Sequence, residues 1–310
     1  MPPMQPSVAV IIPCFNESAT IGDVVRSFRA ALPDARVYVF DNNSTDESAS
    51  LAARAGAIVH AEARQGKGNV VRRMFADVDA DIYVLVDGDG TYDASAAPRL
   101  LARLLEGRYD MVTAARRAAE EGSYRRGHRF GNRALTAMVA QVFGKEISDL
   151  LSGYRVMSRR FVKSFPALSS GFEIETELSV HALELGIPFC EVETDYFARA
   201  GGSRSKLSTY RDGWRILFTI VKLVKGERPF AFFAAIAAAA AVPALVIGVQ
   251  LWLTFVETGL VPRFPSAILA TGLMLTAFLS LVCGLVLDTV TRGRQEMKRL
   301  AYLALKPIDR

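Results

Sequence analysis

Cysteine is scarce. Three stand among 310 residues, at Cys14, Cys190 and Cys283, an odd and scattered set. That excludes a disulfide framework and a cysteine-based zinc site, and it fits a reducing compartment. Histidine is as rare, at three. His128 and His181 fall on predicted helices without metal-ligand spacing, so both are read as structural. The first residues carry no basic stretch, and the first apolar run, Val8 to Ile12, is too short for a signal h-region, so no secretory signal is expected. No Gly-x-Gly-x-x-Gly opens the first helix, which argues against a dinucleotide enzyme. Gly66-Lys67-Gly68-Asn69 lacks the full Walker spacing. Internal repeats and low-complexity linkers are missing as well. With 37 basic against 32 acidic residues the net charge is only +5, on a chain that is 51% hydrophobic and 22% charged. Such a chain is not disordered, and no nucleic-acid partner is expected of it.

What is abundant is apolar sequence near the C-terminus. No charge occurs from Pro229 to Val256, or from Phe264 to Leu287. A bilayer core of about 30 Å needs roughly 20 helical residues, so both runs suffice. Spans are predicted at about 230–255 and 265–287, within a hairpin of residues 229–288. Pro243 suits a spanning helix better than a soluble one. Trp252 and Phe255 lie where an interfacial aromatic belt belongs. Lys222, Lys225 and Arg228 precede the first run; Arg292, Arg294, Lys298 and Arg299 follow the second. The positive-inside rule puts both flanks, the basic tail of residues 289–310 and the N-terminal domain in the cytoplasm, on an inner membrane crossed twice. Residues 207–228 read as an amphipathic helix in the headgroup plane.

Residues 1–206 alternate strand and helix, which predicts a mostly parallel sheet flanked by helices, an α/β fold. Strands are expected at 8–12, 37–40, 57–60, 82–86 and 110–114. Helices are expected at about 20–31, 68–78 and 94–106, and one before Gly56 with Ser44 and Glu47 as its capping box. Polar clusters follow three of the strands: Pro13-Cys14-Phe15-Asn16-Glu17, Asp41-Asn42-Asn43-Ser44-Thr45-Asp46 and Asp87-Gly88-Asp89. All three belong at the carboxyl ends of parallel strands, the edge where open α/β sheets bind ligands.

Asp87 and Asp89, two apart after a buried strand, suit a hard divalent ion that also takes substrate phosphates. An EF-hand is a poor fit, because no glutamate falls at loop position 12. Asp41 is placed to accept from a base or ribose. Arginines at 116, 117, 125, 126, 129, 199 and 204, with Lys206, suit phosphate groups or anionic lipid. Lys67 is equally a phosphate ligand or a solvated lysine.

Together these motifs resemble a family 2 glycosyltransferase of GT-A fold, in the polyprenyl-phosphate branch that includes dolichyl-phosphate mannose synthases. The resemblance covers residues 7 to about 210, and the hairpin is similar to that of bacterial members. It implies that Pro13, Phe15 and Glu17 cradle the nucleotide base, with Asp41 on the nucleoside and Lys67 in the nucleotide site. Asp87, Gly88 and Asp89 form the Asp-x-Asp motif, Asp89 foremost as ligand of Mg2+ or Mn2+ and Asp87 assisting. Arg117 corresponds to an arginine near the diphosphate and the acceptor phosphate. Asp149 to Arg155 resembles a segment beside the acceptor, in which Asp149 orients Arg129, Arg155 or the acceptor itself. Arg199, Ser205 and Lys206 resemble a loop that closes over the diphosphate. Arg129 joins the phosphate-binding set.

The function implied is inverting transfer of one sugar from a nucleotide sugar donor to a polyprenyl phosphate acceptor at the lipid bilayer. Asp-Asn-Asn-Ser-Thr-Asp with Gly-Lys-Gly-Asn-Val-Val-Arg is similar to members using UDP-sugars, such as UDP-N-acetylglucosamine or UDP-glucose. Thr91, where mannose synthases carry glutamine, points the same way. A GDP-mannose enzyme is the alternative, and a non-catalytic membrane scaffold or nucleotide sensor the second. A homo-oligomer, tetrameric in related enzymes, is a further implication. Neither tryptophan lies in a Gln-x-x-Arg-Trp motif, so a processive polysaccharide synthase is not expected.

Overall fold

A computed structural model of the chain describes residues 6–118, 147–171, 173–198, 221–222 and 225–308. By its internal contacts the chain divides into residues 1–216 with 297–310, and residues 217–296.

The first unit holds a seven-stranded sheet. In chain order it runs β1 (Val8–Cys14), α1 (Ile21–Ala31), β2 (Arg36–Asp41), α2 (Ser48–Arg54), β3 (Ile58–Ala61), α3 (Lys67–Asp77), β4 (Ile82–Leu85), α4 (Ala97–Glu106), β5 (Met111–Ala118), β6 (Arg155–Ser158), α5 (Arg159–Ser164), α6 (Ile174–Leu185) and β7 (Phe189–Tyr196). The strand order is β3-β2-β1-β4-β6-β5-β7. Five of these strands match the sequence expectation within a few residues. β6 and β7, which were not expected, complete the sheet.

Strand alternation builds two cores. Val10, Ile12, Val84 and Val86 face α1 and α4, whose Val25, Phe28, Leu100 and Leu104 cover them. Ala9, Ile11, Tyr83 and Leu85 face the other side, under Val70, Met74, Phe161 and Leu178. Both faces are covered, which is why the strands read as continuous apolar runs. Burying one Val, Ile or Phe here contributes about 1.5–3 kcal/mol.

Register brings the acidic loops level. Cys14 pairs with Asp41 between parallel β1 and β2, and Ile11 with Leu85 between parallel β1 and β4. β6 runs antiparallel to β4, with Arg155 opposite Leu85. The segment before β6 therefore arrives at the same rim as the ends of β1, β2 and β4.

Residues 297–308 belong with this unit. Lys298 pairs with Glu184 at 2.6 Å, and the Tyr302 hydroxyl donates to Asp110 at 2.7 Å. Helix α8 (Phe264–Leu303) thus continues as helix well into the stretch expected to be a plain basic tail.

The second unit holds α7 (Pro229–Thr258), with Pro243 inside it, and α8 as far as residue 296. Both helices are long and apolar enough to cross a membrane. Their large side chains face outward: Val242, Leu245, Trp252, Leu269, Phe278 and Leu285 are each more than half exposed. Small residues meet between the helices, where Ala237, Ala240 and Ala277 are buried. Thr254, Thr271, Thr276 and Thr289 return their hydroxyl protons to carbonyls four residues back, so none of these four hydroxyls is a bare donor on an apolar face.

Candidate active site

The loops after β1 and β2 are stitched together. Asn16, at φ +52°, and Asn43, at φ +62°, take left-handed turns, which asparagine tolerates. The Asn16 amide N–H donates to Ser44 Oγ at 2.9 Å, that of Glu17 to Ser48 Oγ at 2.8 Å, and that of Thr45 to Asn16 Oδ1 at 2.8 Å. Ser44 and Glu47 do not form the expected capping box. α2 starts at Ser48, whose N–H donates to Asp46 Oδ1, and Ser44 is spent on joining the loops. Pro13, Phe15 and Glu17 are half-buried along this seam. Cys14 lies beneath it, and burial pushes its thiol up to about 12, leaving it inert.

Asp41 ends β2 with one oxygen accepting from the Ser44 N–H at 3.2 Å. The other, Oδ1, is buried without a hydrogen-bond partner. A bare carboxylate oxygen costs stability unless something completes it.

Asp89 is buried, and its Oδ1 accepts from the Thr91 hydroxyl at 2.6 Å and the Thr91 N–H at 3.2 Å. Gly88 packs so tightly that a Cβ would meet Ile21 at 3.2 Å. Asp87 Oδ1 lies 2.5 Å from Lys67 Nζ, which also pairs with Glu175. Burial alone would lower the Lys67 pKa, but Asp87 and Glu175 outweigh it and push the ammonium up. Behind Asp87 is Gly153, where a Cβ would lie 2.3 Å from Asp87 Oδ2.

Lys67 is carried by a turn that needs both its glycines. Gly66 has φ +129°, and Cβ atoms at Gly66 and Gly68 would stand 2.3 and 2.1 Å from the carbonyl oxygens of Ser170 and Ser169. Asn42 fastens the approach, donating to the carbonyls of Glu62 and Arg64 and accepting from the Gly66 N–H at 2.7 Å. Asn43 donates to the Ala63 carbonyl. The pair Asn42-Asn43 therefore builds the lysine turn.

The donor set fits a hard divalent ion. It consists of two carboxylates two residues apart, and among the described residues no three Asp, Glu, His or Cys side chains form a cage. Mg2+ and its like take one or two carboxylates and complete their shell with substrate phosphate and water.

The basic residues depart from expectation. Arg155 was expected at the acceptor. Its guanidinium is fully buried, donating to the carbonyls of Leu150, Ser152 and Glu175 and to the Ser179 hydroxyl. It braces the 149–155 segment from inside and cannot touch a substrate. Asp149 hydrogen-bonds Arg116 rather than Arg155. It accepts from Arg116 Nε at 2.6 Å, Arg116 Nη2 at 2.7 Å and the Arg116 N–H at 3.2 Å. Burial would raise the Asp149 carboxyl, but the Arg116 bonds outweigh it and hold it below the usual range. Arg117, next on β5, points to the opposite face, as strand alternation requires. It pairs with Asp195 at 2.8 Å and is two-thirds exposed, so it is not gathered with Asp87 and Asp89. Arg129, Arg199, Ser205 and Lys206 lie outside the described residues, as does His128 and most of the 207–228 segment. His181 is a buried core residue beside Ser164 Oγ at 3.2 Å.

Two residues were not foreseen, Glu175 and Tyr92, and Arg116, expected among the arginines that suit phosphate or anionic lipid, was not expected to pair with Asp149. Tyr92 is buried, and its hydroxyl accepts from the Gly153 N–H at 2.8 Å. It feels the charges of both Arg116 and Asp87, which ties the Arg116–Asp149 pair to the aspartate loop. Period-two alternation on β5 signals that one of Arg116 and Arg117 faces inward; it does not say which.

A family model described as Glycosyl transferase family 2 matches residues 9–165. The chain is similar to glycosyltransferase AglJ of Haloferax volcanii, 33% identical over 304 residues, covering 97% of this chain and 99% of that protein. A dolichyl-phosphate hexose transferase from the same organism is 27% identical over 221 residues, 71% of this chain and 95% of the other. Among solved structures, glucosyl-3-phosphoglycerate synthase of Mycobacterium tuberculosis, in complex with Mn2+, UDP and glucosyl-3-phosphoglycerate, superimposes with a TM-score of 0.58 at 26% identity, covering 71% of this chain and 79% of the other.

Proposed function

The chain belongs to glycosyltransferase family 2, and on that premise we propose that it moves one sugar from a nucleotide diphosphosugar to a polyprenyl phosphate, with inversion at the anomeric carbon. One observation carries the reading. Asp87, Asp89 and the unpartnered Asp41 Oδ1 meet on one sheet rim in a chain that also bears two apolar helices of bilayer-crossing length. Similarity to a dolichyl-phosphate hexose transferase supports a lipid phosphate as acceptor. The solved relative with Mn2+ and UDP supports a divalent ion and a uridine donor.

In this reading residues 1–206 are the catalytic domain, 207–228 an interfacial helix, 229–288 a hairpin across the cytoplasmic membrane and 289–310 a cytoplasmic segment. Asp41 Oδ1 accepts from the nucleoside, and Pro13, Phe15 and Glu17 line the base. Asp89 and Asp87 would hold a divalent ion, which when bound neutralises the leaving diphosphate. Lys67 adds charge on the same side.

The acceptor is a phosphate monoester with a second pKa near 6, so its oxygen is largely anionic at neutral pH. It needs placing and screening more than deprotonation. Asp149 fits that demand, because both its oxygens are committed to Arg116 and it aims a guanidinium without taking a proton. Arg129, Arg199, Ser205 and Lys206 would complete the phosphate contacts.

The test is transfer from UDP-sugars to undecaprenyl phosphate by the purified full chain, read by mass spectrometry of the lipid product. Asp89→Ala should abolish transfer while the protein stays folded, and EDTA should do the same to the native chain. Unchanged turnover in either case overturns the reading. A GDP-mannose arm in the same screen decides the base.

A further inference from the structure

The buried trio Lys67, Asp87 and Glu175 has more charge than the proposed chemistry uses. Lys67 stands at the first turn of α3 and Glu175 at the second residue of α6, and both are anchored by backbone. Lys67 is seated by the Gly66 and Gly68 contacts, and the Glu175 carbonyl accepts from Arg155. Their side chains are 9% and 7% exposed. The ammonium bridges Asp87 Oδ1 and Glu175 Oε1, and Glu175 Oε2 is buried with no hydrogen-bond partner.

An ammonium 2.5 Å from Asp87 Oδ1 occupies space that a cation bound to that oxygen requires. The two charges repel each other and cannot share the oxygen at this distance. The flexible lysine stem lets the ammonium leave while its backbone stays put. The empty Oε2 lone pairs offer it a place to turn to.

We propose that Lys67 is a resident counter-charge that fills Asp87 before a cation arrives, and that Glu175 is the positioning residue that receives its ammonium when the cation takes the carboxylate. Held there, the ammonium stays within reach of a donor diphosphate rather than being lost to solvent. The proposal rests on the reading of Asp87 as a cation ligand and names the residue that makes that ligand available.

The experiment is a Mn2+ titration of the full chain in detergent, following free Mn2+ by electron paramagnetic resonance with no donor or acceptor present. Lys67→Met should bind Mn2+ on the order of tenfold more tightly than the native chain, because a competing charge is gone. Glu175→Gln should bind it several-fold more weakly, since the ammonium is then left on Asp87. Glu175→Asp keeps the charge but loses reach, and it should weaken Mn2+ binding as Glu175→Gln does. In the Lys67→Met background Glu175→Gln should have no effect.

Native affinity in Glu175→Asp, or the same loss from Glu175→Gln with and without Lys67, reduces Glu175 to a distant charge and overturns the proposal. Should Lys67→Met fail to fold, the comparison of Gln with Asp at position 175 decides alone. An additive Glu175 effect in a chain that still transfers sugar sinks this proposal only. A chain that binds Mn2+ as expected but transfers nothing sinks the proposed reaction only.

Discussion

Gly153→Ala tests how the site is held. Gly153 does not adopt a positive φ, so alanine meets no backbone strain there. The whole cost is contact. The new methyl would lie 2.3 Å from Asp87 Oδ2 and 2.8 Å from its Cγ, and ordinary contact begins at 3.4 Å. One partner must therefore retreat by about 1 Å. Gly153 is poorly free to do so, since its N–H is tied to the buried Tyr92 hydroxyl at 2.8 Å. Asp87 is held in turn by Lys67. Overpacking of this kind costs about 1–3 kcal/mol of stability. A 1 Å misplacement of a positioned group costs about 10²-fold in rate.

The assay pairs sugar transfer to undecaprenyl phosphate with thermal unfolding of the same preparation. A control separates the two effects. Gly186 caps α6 at φ +62° with nothing within 4 Å of a Cβ, so Gly186→Ala should lose about 1 kcal/mol by strain alone. It should keep its transfer rate. A Gly153→Ala chain with native rate and native unfolding temperature would refute the claim that this glycine sets the position of Asp87.

Two other outcomes follow from the same geometry. Arg116→Lys removes the two-pronged contact with Asp149, and transfer should fall by about 10- to 100-fold, mainly through the acceptor KM. An unchanged acceptor KM would return Arg116 to a purely structural role. Burial pushes His181 down to about 3 from an ordinary 6.5, so the unfolded chain binds the extra proton between those values. Its contribution is absent above pH 6.5, and stability falls by about 1.4 kcal/mol per unit as pH drops below it. In denaturant titrations His181→Asn should lose that part of the acid slope, and an identical slope in both proteins would exclude His181 as its cause.

Much of this protein is local and therefore readable in one dimension. Apolar runs of four to seven residues bounded by polar turns mark β1, β2 and β4, because a strand covered on both faces must be apolar throughout. The carboxyl-end position of Asp41, Asp87 and Asp89 follows from strand direction, which parallel alternation imposes. The two uncharged stretches near the C-terminus exceed what a buried core helix needs, so their length marks the long apolar helices. None of these features depends on which distant residue sits opposite.

The rest is non-local. β6 was missed because Arg155-Val156-Met157-Ser158 is four residues long and begins with a charge, a pattern that becomes a strand only when β4 and β5 take it in between them. The same insertion places Arg155 inside the core and swings Gly153 against Asp87. Strand alternation separates Arg116 from Arg117, but only the tertiary register shows that Arg116 meets Asp149. Glu175, more than a hundred residues from Lys67, carries no local sign of its partner. Charge pairing across such distances is a property of the packed chain: a buried ammonium takes whichever carboxylates the folded backbone sets beside it, and sequence spacing leaves that choice open.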